Sequence, residues 1–370
     1  NAISVIKKKV LHIAKWYPNE TDVQNGIFIK KHILSLSDKT ESHVLFFKQL
    51  DNLEVSHRIE KTKSDIQEII VYHKELSALQ SYKFKKKILK EILSEIGQPD
   101  IIHLHILAAD QLIFARFAIK NRIPFFVSEH WSGYVTSGFK NIPKVKRLIY
   151  KRITKRAKAI LPVSKFLEEG MRSSGLKGNY SVVPNIVDLP EVVSSKNKAF
   201  SFIVVSDIVD EVKNISGIVT AFQEIKTDKS KIRLSIVGDG PDFRQIKSLI
   251  NLRPDGIELL GRLPNNEALV AISKAHCLVV NSNVETFSVV SIEARAQGLQ
   301  VIATDCGGPP EYADDFTLII QKNNFEIFSV KLYSLNGQYF PINKQFNKIY
   351  INDLSKGIYF LKILFKNGKT

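Results

Sequence analysis

The chain is poor in cysteine, and its two cysteines restrict the kinds of site it can build. Cys277 and Cys306 lie far apart from each other in the sequence, and no second pair accompanies them. A zinc site formed by two cysteine pairs is therefore excluded. We interpret both residues as reduced thiols buried in the core, as expected for a cytosolic protein.

Long apolar segments are also missing. No run of apolar residues approaches the roughly 18–20 residues that a membrane-spanning helix requires. Near the start, Lys7 to Lys9 precede a short strand-like run, and no apolar stretch with a cleavage site follows. This is not the pattern of a secretory signal peptide, so we predict a cytoplasmic protein. Because residue 1 is not methionine, a trimmed leader and an exported protein form the alternative.

Acidic residues are outnumbered by basic ones, 37 against 53, which gives a net charge of +16. Such a charge attracts nucleic acid, anionic lipid or phosphorylated substrates. Nine basic and no acidic residues fall between Lys140 and Lys158, interleaved at helical spacing with apolar residues such as Val145 and Leu148. A basic amphipathic helix of this kind either lies on an anionic membrane surface or presents a solvated face. No nucleic-acid recognition motif is evident, so we expect no nucleic-acid partner.

Short β-rich runs alternate with helical patterns in the first half of the chain. The runs that predict buried strands are residues 10–14, 43–47, 101–105, 125–128 and 159–162. Apolar residues recur with helical period in residues 26–37, 82–96 and 110–121. Alternation of this kind predicts a parallel sheet wrapped by helices. We assign this first domain to residues 1–190.

A polar linker over residues 191–198 precedes a second alternating series. Its predicted strands are residues 202–205, 233–237, 257–260, 277–280 and 301–303, and its predicted helices are residues 215–225, 243–250, 267–274 and 289–297. The fold class is therefore α/β, with two tandem Rossmann-like doubly wound domains facing a cleft, the second over residues 191–322. Ligands in such sheets bind at the carboxyl ends of the strands.

The C-terminal residues follow a different pattern, because short alternating runs replace the strand–helix units. Strand-like runs at residues 328–335, 348–351 and 357–364 are separated by turn residues such as Asn336-Gly337 and Asn367-Gly368. Antiparallel strands joined by hairpin turns are predicted. We assign a small all-β module to residues 323–370.

Two glycine turns follow strands of the second series. Gly238 and Gly240 separate the strand that ends at residue 237 from a helix that begins near Asp242, and Gly307-Gly308 follow the last predicted strand. Glycine lets backbone amides approach a ligand closely, and a helix N-terminus favours anions. Such turns also arise for steric reasons alone, so each is weak evidence by itself.

The segment from Glu285 to Glu293 carries the sharpest signal. A loop carries Glu285, and a helix begins near Ser288, whose side chain suits an N-cap. The free amides of the first turn can hold a diphosphate. Glu293 can accept hydrogen bonds from both ribose hydroxyls. A surface carboxylate or an ion pair with Arg295 or Arg262 is the alternative, but the apolar neighbours of Glu293 favour a site.

This segment resembles the E-x7-E signature of retaining glycosyltransferase family 4, the group 1 transferases with the GT-B fold. Val183-Pro184-Asn185-Ile186-Val187-Asp188 is similar to the family's "VPNGVD" element, Lys213-Asn214 to its lysine turn, and Gly238-Asp239-Gly240-Pro241 to its "GxGP" turn. Gly26-Ile27-Phe28 resembles part of the loop after the first strand, and Glu129-His130-Trp131 the position of a cleft histidine. The resemblance covers residues 10 to about 315.

The resemblance implies a catalytic set of His130, Lys213 and Glu285. Lys213 would neutralise the diphosphate leaving group, Glu285 would contact the transferred sugar, and His130 would face the donor across the cleft. The implied donor-binding set is Gly26, Gly238, Gly240, Arg262, Thr286, Phe287, Ser288, Val289, Val290 and Glu293. The family needs no metal or other cofactor, and the sequence shows no cluster of metal ligands.

The implied reaction is transfer of a hexosyl residue, with retention of anomeric configuration, from a UDP-, GDP- or ADP-linked sugar. The implied acceptor is a glycan or a lipid-linked molecule of cell-envelope polysaccharide synthesis at the inner face of the inner membrane. A truncated, inactive transferase fold that binds a nucleotide or a glycan is the alternative.

Two departures from the family pattern support that alternative. Ser206-Asp207 stands where the family has Gly-Arg, so one phosphate-binding cation is missing, and Arg262 is the residue that could compensate. The helices that follow the glycine pair in the family are replaced by the C-terminal module. This module resembles a sorting domain of the type IX secretion system over residues 330–338 and 351–363.

Overall fold

The computed structural model describes residues 7–187, 196–225 and 232–320, and beyond them the backbone of short strands at 327–334, 339–340, 343–345, 348–350 and 359–365. By their internal contacts the residues fall into two compact units. The first comprises Asn1–Asp188 with the short segment Glu285–Val289, and the second comprises Leu189–Val284 with Val290–Thr370. Each unit contains its own parallel sheet.

The first unit alternates strands and helices, with one hairpin inserted after the second strand. Its elements are β1 (Lys8–Ala14), α1 (Ile27–Leu34), β2 (Thr40–Gln49), β3 (His57–Lys63), β4 (Gln67–His73), α2 (Ala78–Ile96), β5 (Ile101–His105), α3 (Leu112–Lys120), β6 (Phe125–Glu129), α4 (Gly138–Asn141), α5 (Lys144–Arg156), β7 (Ala159–Pro162) and α6 (Lys165–Ser173).

The first sheet has seven strands in the order β3-β4-β2-β1-β5-β6-β7. All neighbours pair in parallel except β3 and β4, which are antiparallel. The direction of winding reverses between β1 and β5, because β2 lies beside one edge of β1 and β5 beside the other. This reversal is the switch point of a doubly wound sheet.

Both faces of the first sheet are covered, which explains why β1 reads as an almost continuous apolar run. Leu11 and Ile13 are buried on one face. On the other face, Ala14 belongs to a cluster that includes Ile29 and Ile33 of α1. Helix α2 begins with a capping box, in which Ser77 accepts from the backbone N–H of Gln80 and the Gln80 side chain accepts from that of Ser77.

The hairpin of β3 and β4 is absent from the sequence prediction. Strand β3 is half-exposed and reads His-Arg-Ile-Glu-Lys-Thr-Lys, so it has no apolar run to reveal it. Its turn contains Ser64 and Asp65 rather than an Asn-Gly pair. Edge strands with many charges lack the hydrophobic pattern on which strand prediction depends.

The second unit repeats the strand–helix alternation without an inserted hairpin. Its elements are β8 (Ser201–Val205), α7 (Asp210–Lys213), α8 (Ile215–Ile225), β9 (Arg233–Val237), α9 (Phe243–Leu252), β10 (Ile257–Gly261), α10 (Asn265–Lys274), β11 (Cys277–Val280), α11 (Val289–Ala296), β12 (Gln300–Thr304) and β13 (Thr317–Ile320).

The second sheet has six strands in the order β10-β9-β8-β11-β12-β13, and every described neighbour pair is parallel. Its switch point lies between β8 and β11. One face carries a cluster around Phe222 and Ile246 of α8 and α9, and the other a cluster around Ile272 and Ala294 of α10 and α11. The predicted class of two tandem doubly wound α/β domains is confirmed.

The described C-terminal strands are antiparallel, as the alternating pattern predicts. Strand β14 (Ile327–Ser334) pairs with β15 (Tyr339–Phe340) and with β18 (Tyr359–Phe365), and β16 (Asn343–Gln345) pairs with β17 (Lys348–Tyr350). The predicted turns at Asn336-Gly337 and Asn367-Gly368 lie outside the described residues.

The structure bears on two expectations from the sequence, which concern the cysteines and membrane-spanning helices. Cys277 and Cys306 are both buried free thiols, as predicted. In the part of the chain that the structure describes, no helix is both long enough and apolar enough to cross a membrane.

Candidate functional site

The carboxyl ends of β8 and β11 carry the segments in which most predicted site residues fall. These two neighbouring strands form the switch point of the second sheet, where doubly wound proteins open a crevice for ligands. The segment after β8 leads to Lys213, and the segment after β11 leads to Glu285. The two segments are joined by hydrogen bonds from Asn281 and Asn283, which belong to the second unit.

Lys213 is held by a short turn at the end of α7. Asn214, which follows it, has a left-handed backbone with φ of 47°, a conformation that asparagine tolerates better than most residues. The Asn281 side chain donates to the carbonyl of Asn214 at 3.3 Å. The backbone N–H of Asn283 donates to the carbonyl of Val212 at 2.7 Å. The lysine turn is therefore fixed to the segment after β11.

Gly238 and Gly240 bring the backbone after β9 against the backbone after β8. A Cβ atom on Gly238 would lie 1.8 Å from the carbonyl oxygen of Ser206, and one on Gly240 would lie 2.4 Å from that of Ile208. The N–H of Gly238 donates to the carbonyl of Gly261 at 2.8 Å, and that of Ile208 to the carbonyl of Asp239 at 2.9 Å. Three strand ends thus interlock, and only glycine fits at these two positions.

Replacing Gly238 with alanine should therefore destabilise the second unit by more than about 3 kcal/mol, because the new methyl group overlaps a backbone oxygen. Gly261→Ala is the matched control. Gly261 also has a positive φ, but a Cβ there meets nothing within 4 Å. This change should cost only about 1–2 kcal/mol of backbone strain. Hydrogen exchange of peptides from β8 and β9 measures both effects, and equal costs would contradict the interlocked backbone.

Arg262 follows β10 and contacts the residue that departs from the family pattern. Its Nη2 atom lies 3.3 Å from Oδ1 of Asp207. The two side chains are 49% and 73% exposed, so the ion pair contributes less than about 1 kcal/mol to folding. Asp207 therefore contacts Arg262 without binding it strongly.

The segment Glu285–Val289 leads into α11. The backbone of Ser288, the residue before the helix, has an unusual conformation. Ser288 directly precedes the helix, as predicted, but its φ is 69°. An N-cap residue normally has extended dihedrals, so the left-handed backbone of Ser288 is unusual for this position. A left-handed serine costs about 1–2 kcal/mol, and such strain concentrates at functional sites. Phe287 and Ser288 are buried, while Glu285, Thr286, Val289 and Val290 are half-buried.

Glu293 lies on α11 and is only 7% exposed. The alternative of a surface carboxylate is therefore excluded. Its neighbour Arg295 binds Asp314 through contacts of 2.7–3.1 Å. Buried carboxylates are rare unless they serve a structural or binding purpose, which keeps Glu293 in the candidate site.

His130 and Gly26 belong to the first unit. Gly26 is the N-cap of α1 with φ of 64°, and a Cβ there would lie 2.5 Å from the backbone of Trp16. His130 is 8% exposed and packs against Phe28, with ring centroids 4.5 Å apart. Burial, followed by electrostatic interactions with His32 and His103, holds the pKa of His130 well below its usual value. Its Nδ1 atom has no hydrogen-bond partner among the described residues.

The carboxylate of Glu129 fixes the turn that carries His130. It is fully buried and accepts hydrogen bonds from the backbone N–H groups of Leu107, His130 and Trp131 and from the hydroxyl of Tyr134, at 2.9–3.2 Å. Burial raises the pKa of Glu129 to about 7, and the four donors oppose that shift. The sequence places Glu129 beside a site residue but does not reveal this role.

Three histidines of the first unit come together in a way that the sequence does not predict. His12 on β1 and His103 and His105 on β5 offer ring nitrogens that all lie within 4.8 Å of one another. The sequence shows no cluster of metal ligands, whereas the fold brings these three residues together. The missing signal is strand register, because His12 pairs with His103 across 91 residues of sequence.

Family models match the chain in both units. Residues 188–335 match the model for glycosyl transferases group 1, and residues 43–191 match the model for glycosyltransferase family 4. Together the two matches run from residue 43 to residue 335 and include every predicted site residue except Gly26. The chain is a glycosyltransferase.

Curated relatives of this transferase agree with the family match. It is 28% identical over 254 residues to an uncharacterized glycosyltransferase of Methanocaldococcus jannaschii, covering 67% of this chain and 68% of the relative. It is 24% identical over 258 residues to alpha-monoglucosyldiacylglycerol synthase of Acholeplasma laidlawii, covering 62% and 63%. For three further relatives the match spans 26%, 35% and 30% of their length.

Solved structures share the fold of the transferase. The Anabaena protein HepE, solved in complex with UDP, superposes with a TM-score of 0.63 at 12% identity, over 85% of this chain and 86% of that one. At this identity the similarity concerns the fold.

Proposed function

We propose that the transferase moves a hexosyl residue from a nucleotide-sugar to a glycan or a lipid-linked acceptor of cell-envelope polysaccharide synthesis. The donor is a UDP-, GDP- or ADP-linked sugar, and the transfer retains the anomeric configuration. The observation that carries the proposal is the hydrogen-bonded switch point of the second unit. There the turn of Lys213 is fixed to the segment after β11, which leads to Glu285 and to the helix of Glu293.

The breaking of a glycosyl–phosphate bond leaves negative charge on a diphosphate, and each residue of this region suits one part of that task. The ammonium group of Lys213 neutralises the leaving diphosphate. Backbone amides at the start of α11 bind phosphate oxygens, because helix N-termini favour anions. Glu293 accepts from the ribose hydroxyls, and Glu285 contacts the transferred sugar. Arg262 replaces the cation lost at Asp207.

The first unit supplies the acceptor side. Burial keeps the His130 imidazole neutral, so one of its ring nitrogens can accept a proton or a hydrogen bond from a sugar hydroxyl. Gly26 lets the loop after β1 reach the start of α1 without a steric clash. The relative named for diacylglycerol glucoside synthesis supports a lipid-linked acceptor, and the neighbour solved with UDP supports a nucleotide-sugar donor.

Helix α5 supports a location at the inner face of the inner membrane. Val145 and Leu148 are 72% and 50% exposed. Around them Lys144, Lys146 and Lys151 are also exposed. Exposed apolar side chains within a basic helix bind anionic lipid surfaces, which would bring the transferase to a lipid-linked acceptor. The transfer itself uses no metal or cofactor, and nucleic acid is not a partner.

A donor screen tests the proposal. The full chain is incubated with UDP-, GDP- and ADP-sugars, and release of the free nucleotide is measured with and without acceptor glycolipids. One class of donor should be turned over. Glu293→Gln should raise the donor KM by about 10–100-fold with a smaller change in kcat, because a charge-assisted hydrogen bond contributes about 1.5–3 kcal/mol.

Glu267→Gln is a control, since Glu267 lies exposed on α10 of the same unit. Its donor KM should equal that of the wild type. Saturable nucleotide binding without release from any donor would favour the alternative of an inactive binding module. An unchanged KM in Glu293→Gln would contradict the ribose contact.

A further inference from the structure

His12, His103 and His105 form a largely buried group at the switch point of the first sheet. His12 and His103 pair directly across β1 and β5, and His105 lies two residues further along β5. Alternate residues of a strand share a face, so all three side chains project from the same side of the sheet. His12 and His105 are 1% and 2% exposed, and His103 is half-buried.

The nitrogen atoms are spaced for shared coordination. Nδ1 of His12 lies 3.0 Å from Nε2 of His105. In a tetrahedral zinc site with Zn–N bonds of about 2.0–2.1 Å, two ligand nitrogens lie roughly 3.4 Å apart. The nitrogens of all three residues lie within 4.8 Å of one another, so closure around an ion requires a ring movement of only about 1 Å.

Hydrogen bonds around the cluster orient two of the rings. Nε2 of His12 lies 3.3 Å from Oγ of Ser42, and Nε2 of His103 lies 2.8 Å from Oγ of Ser128. Donation from each Nε2–H to its serine leaves Nδ1 with a free lone pair, which is the arrangement that orients histidine ligands in metal sites. Nδ1 of His105 has no hydrogen-bond partner within the described ranges. Without an ion, Nε2–H of His105 donates to Nδ1 of His12. When an ion binds, the proton of His105 moves to Nδ1, and the coordination bonds replace this hydrogen bond.

We propose that His12, His103 and His105 bind a late first-row divalent cation such as Zn²⁺, which joins β1 to β5 in the first unit. Imidazole nitrogen is a preferred ligand of Zn²⁺, Co²⁺, Ni²⁺ and Cu²⁺, whereas Mg²⁺ and Ca²⁺ require oxygen. Three ligands leave a fourth position for water. The half-buried His103 provides the entry path. The ion stabilises the sheet and takes no part in sugar transfer.

Cobalt provides a direct probe of the site. The full chain is dialysed against EDTA, freed of chelator and titrated with CoCl₂. A single equivalent should produce the intense visible absorption of tetrahedral cobalt, and one equivalent of ZnCl₂ should abolish it. Zinc at about 100 times its dissociation constant should raise the thermal midpoint of the first unit by about 5–10 °C. Fluorescence reports on that unit alone, because both tryptophans, Trp16 and Trp131, belong to it.

Matched variants assign the ligands. His103→Gln should abolish the cobalt spectrum, and Ser128→Ala should weaken zinc binding by about 10–100-fold through loss of the orienting hydrogen bond. His43→Gln is the control, because His43 is a buried histidine of the same sheet but lies on β2 and binds Gln67 and Glu41. It should keep one equivalent of cobalt.

A measurement on the wild-type protein does not depend on whether a variant folds. Diethyl pyrocarbonate modifies neutral imidazoles, and mass spectrometry locates the products. Zinc should protect His103 at least 10-fold and leave His57, a half-buried histidine on β3, unprotected or nearly so. Absence of a stoichiometric cobalt spectrum, or equal protection of both histidines, would overturn the proposed site. Loss of sugar transfer in the donor screen would not, since the two sites use different residues.

Discussion

Lys213→Ala should lower kcat/KM for the donor by about 10²–10³-fold while the protein remains folded. Removal of one group that stabilises charge in a transition state typically has an effect of this size. Lys213 lies in the turn that Asn281 and Asn283 hold in place. The loss should appear mainly in kcat, because the diphosphate gains its full charge only as the glycosyl bond breaks.

The stability of this variant separates a catalytic role from a structural one. Lys213 is half-buried, and its turn is held by backbone contacts that alanine retains. The free energy of unfolding of the second unit should therefore change by less than about 1 kcal/mol. Lys247→Ala is the control, because Lys247 lies exposed on α9 of the same unit. Comparable losses of activity and stability in Lys213→Ala would remove the lysine from the mechanism.

Glu129→Ala should destabilise the first unit by about 3–5 kcal/mol. The substitution leaves the three backbone N–H groups and the Tyr134 hydroxyl without their acceptor in a fully buried site. Each unsatisfied buried donor costs about 1–3 kcal/mol, and partial relaxation reduces the sum. Glu129→Gln retains one acceptor oxygen but turns an amide NH₂ toward the donors. It should cost about 2–3 kcal/mol.

Denaturant unfolding followed by tryptophan fluorescence measures this loss. Trp131 lies in the turn that Glu129 holds, so the probe reports on the affected region. Glu169→Gln is the control, since Glu169 is exposed on α6, and it should change stability by less than about 0.5 kcal/mol. If Glu129→Ala unfolds at the wild-type midpoint, the buried carboxylate does not hold the turn together.

Much of the architecture follows from sequence because the parallel strands are buried on both faces. Strands β5, β7, β9 and β11 have the predicted bounds, since their apolar runs end where the polar loops begin. The hairpin of β3 and β4 follows no such pattern, because its outer strand is half-exposed and charged. Hydrophobic periodicity reveals the interior of a sheet and misses its edges.

The candidate site is less completely readable from sequence. The glycines of the turn after β9 and the acidic residues Glu285 and Glu293 can be recognised in the sequence. Glu293 is buried, as expected for a binding residue. The left-handed backbone of Ser288 is not visible, because serine has no special preference for that conformation. The contacts of Asn281 and Asn283 with the lysine turn depend on which strands become neighbours.

The histidine cluster shows the same limit more clearly. His12 is an ordinary residue within an apolar strand, and only the parallel pairing of β1 with β5 brings it to His103. Periodicity along one strand carries no information about the register between two strands that are far apart in sequence. His12 therefore joins His103 and His105 only after folding.

Strand β3 has a consequence for how this protein meets other copies of itself. As an edge strand of the first sheet, β3 has backbone N–H and C=O groups that a strand of another molecule could pair with. Edge strands that are flat and apolar tend to form such pairs. Here Arg58 binds Glu20 and Glu60, and Lys61 binds Glu95. A second molecule would have to displace these charges to add a strand there. Self-association, where it occurs, is directed to other surfaces.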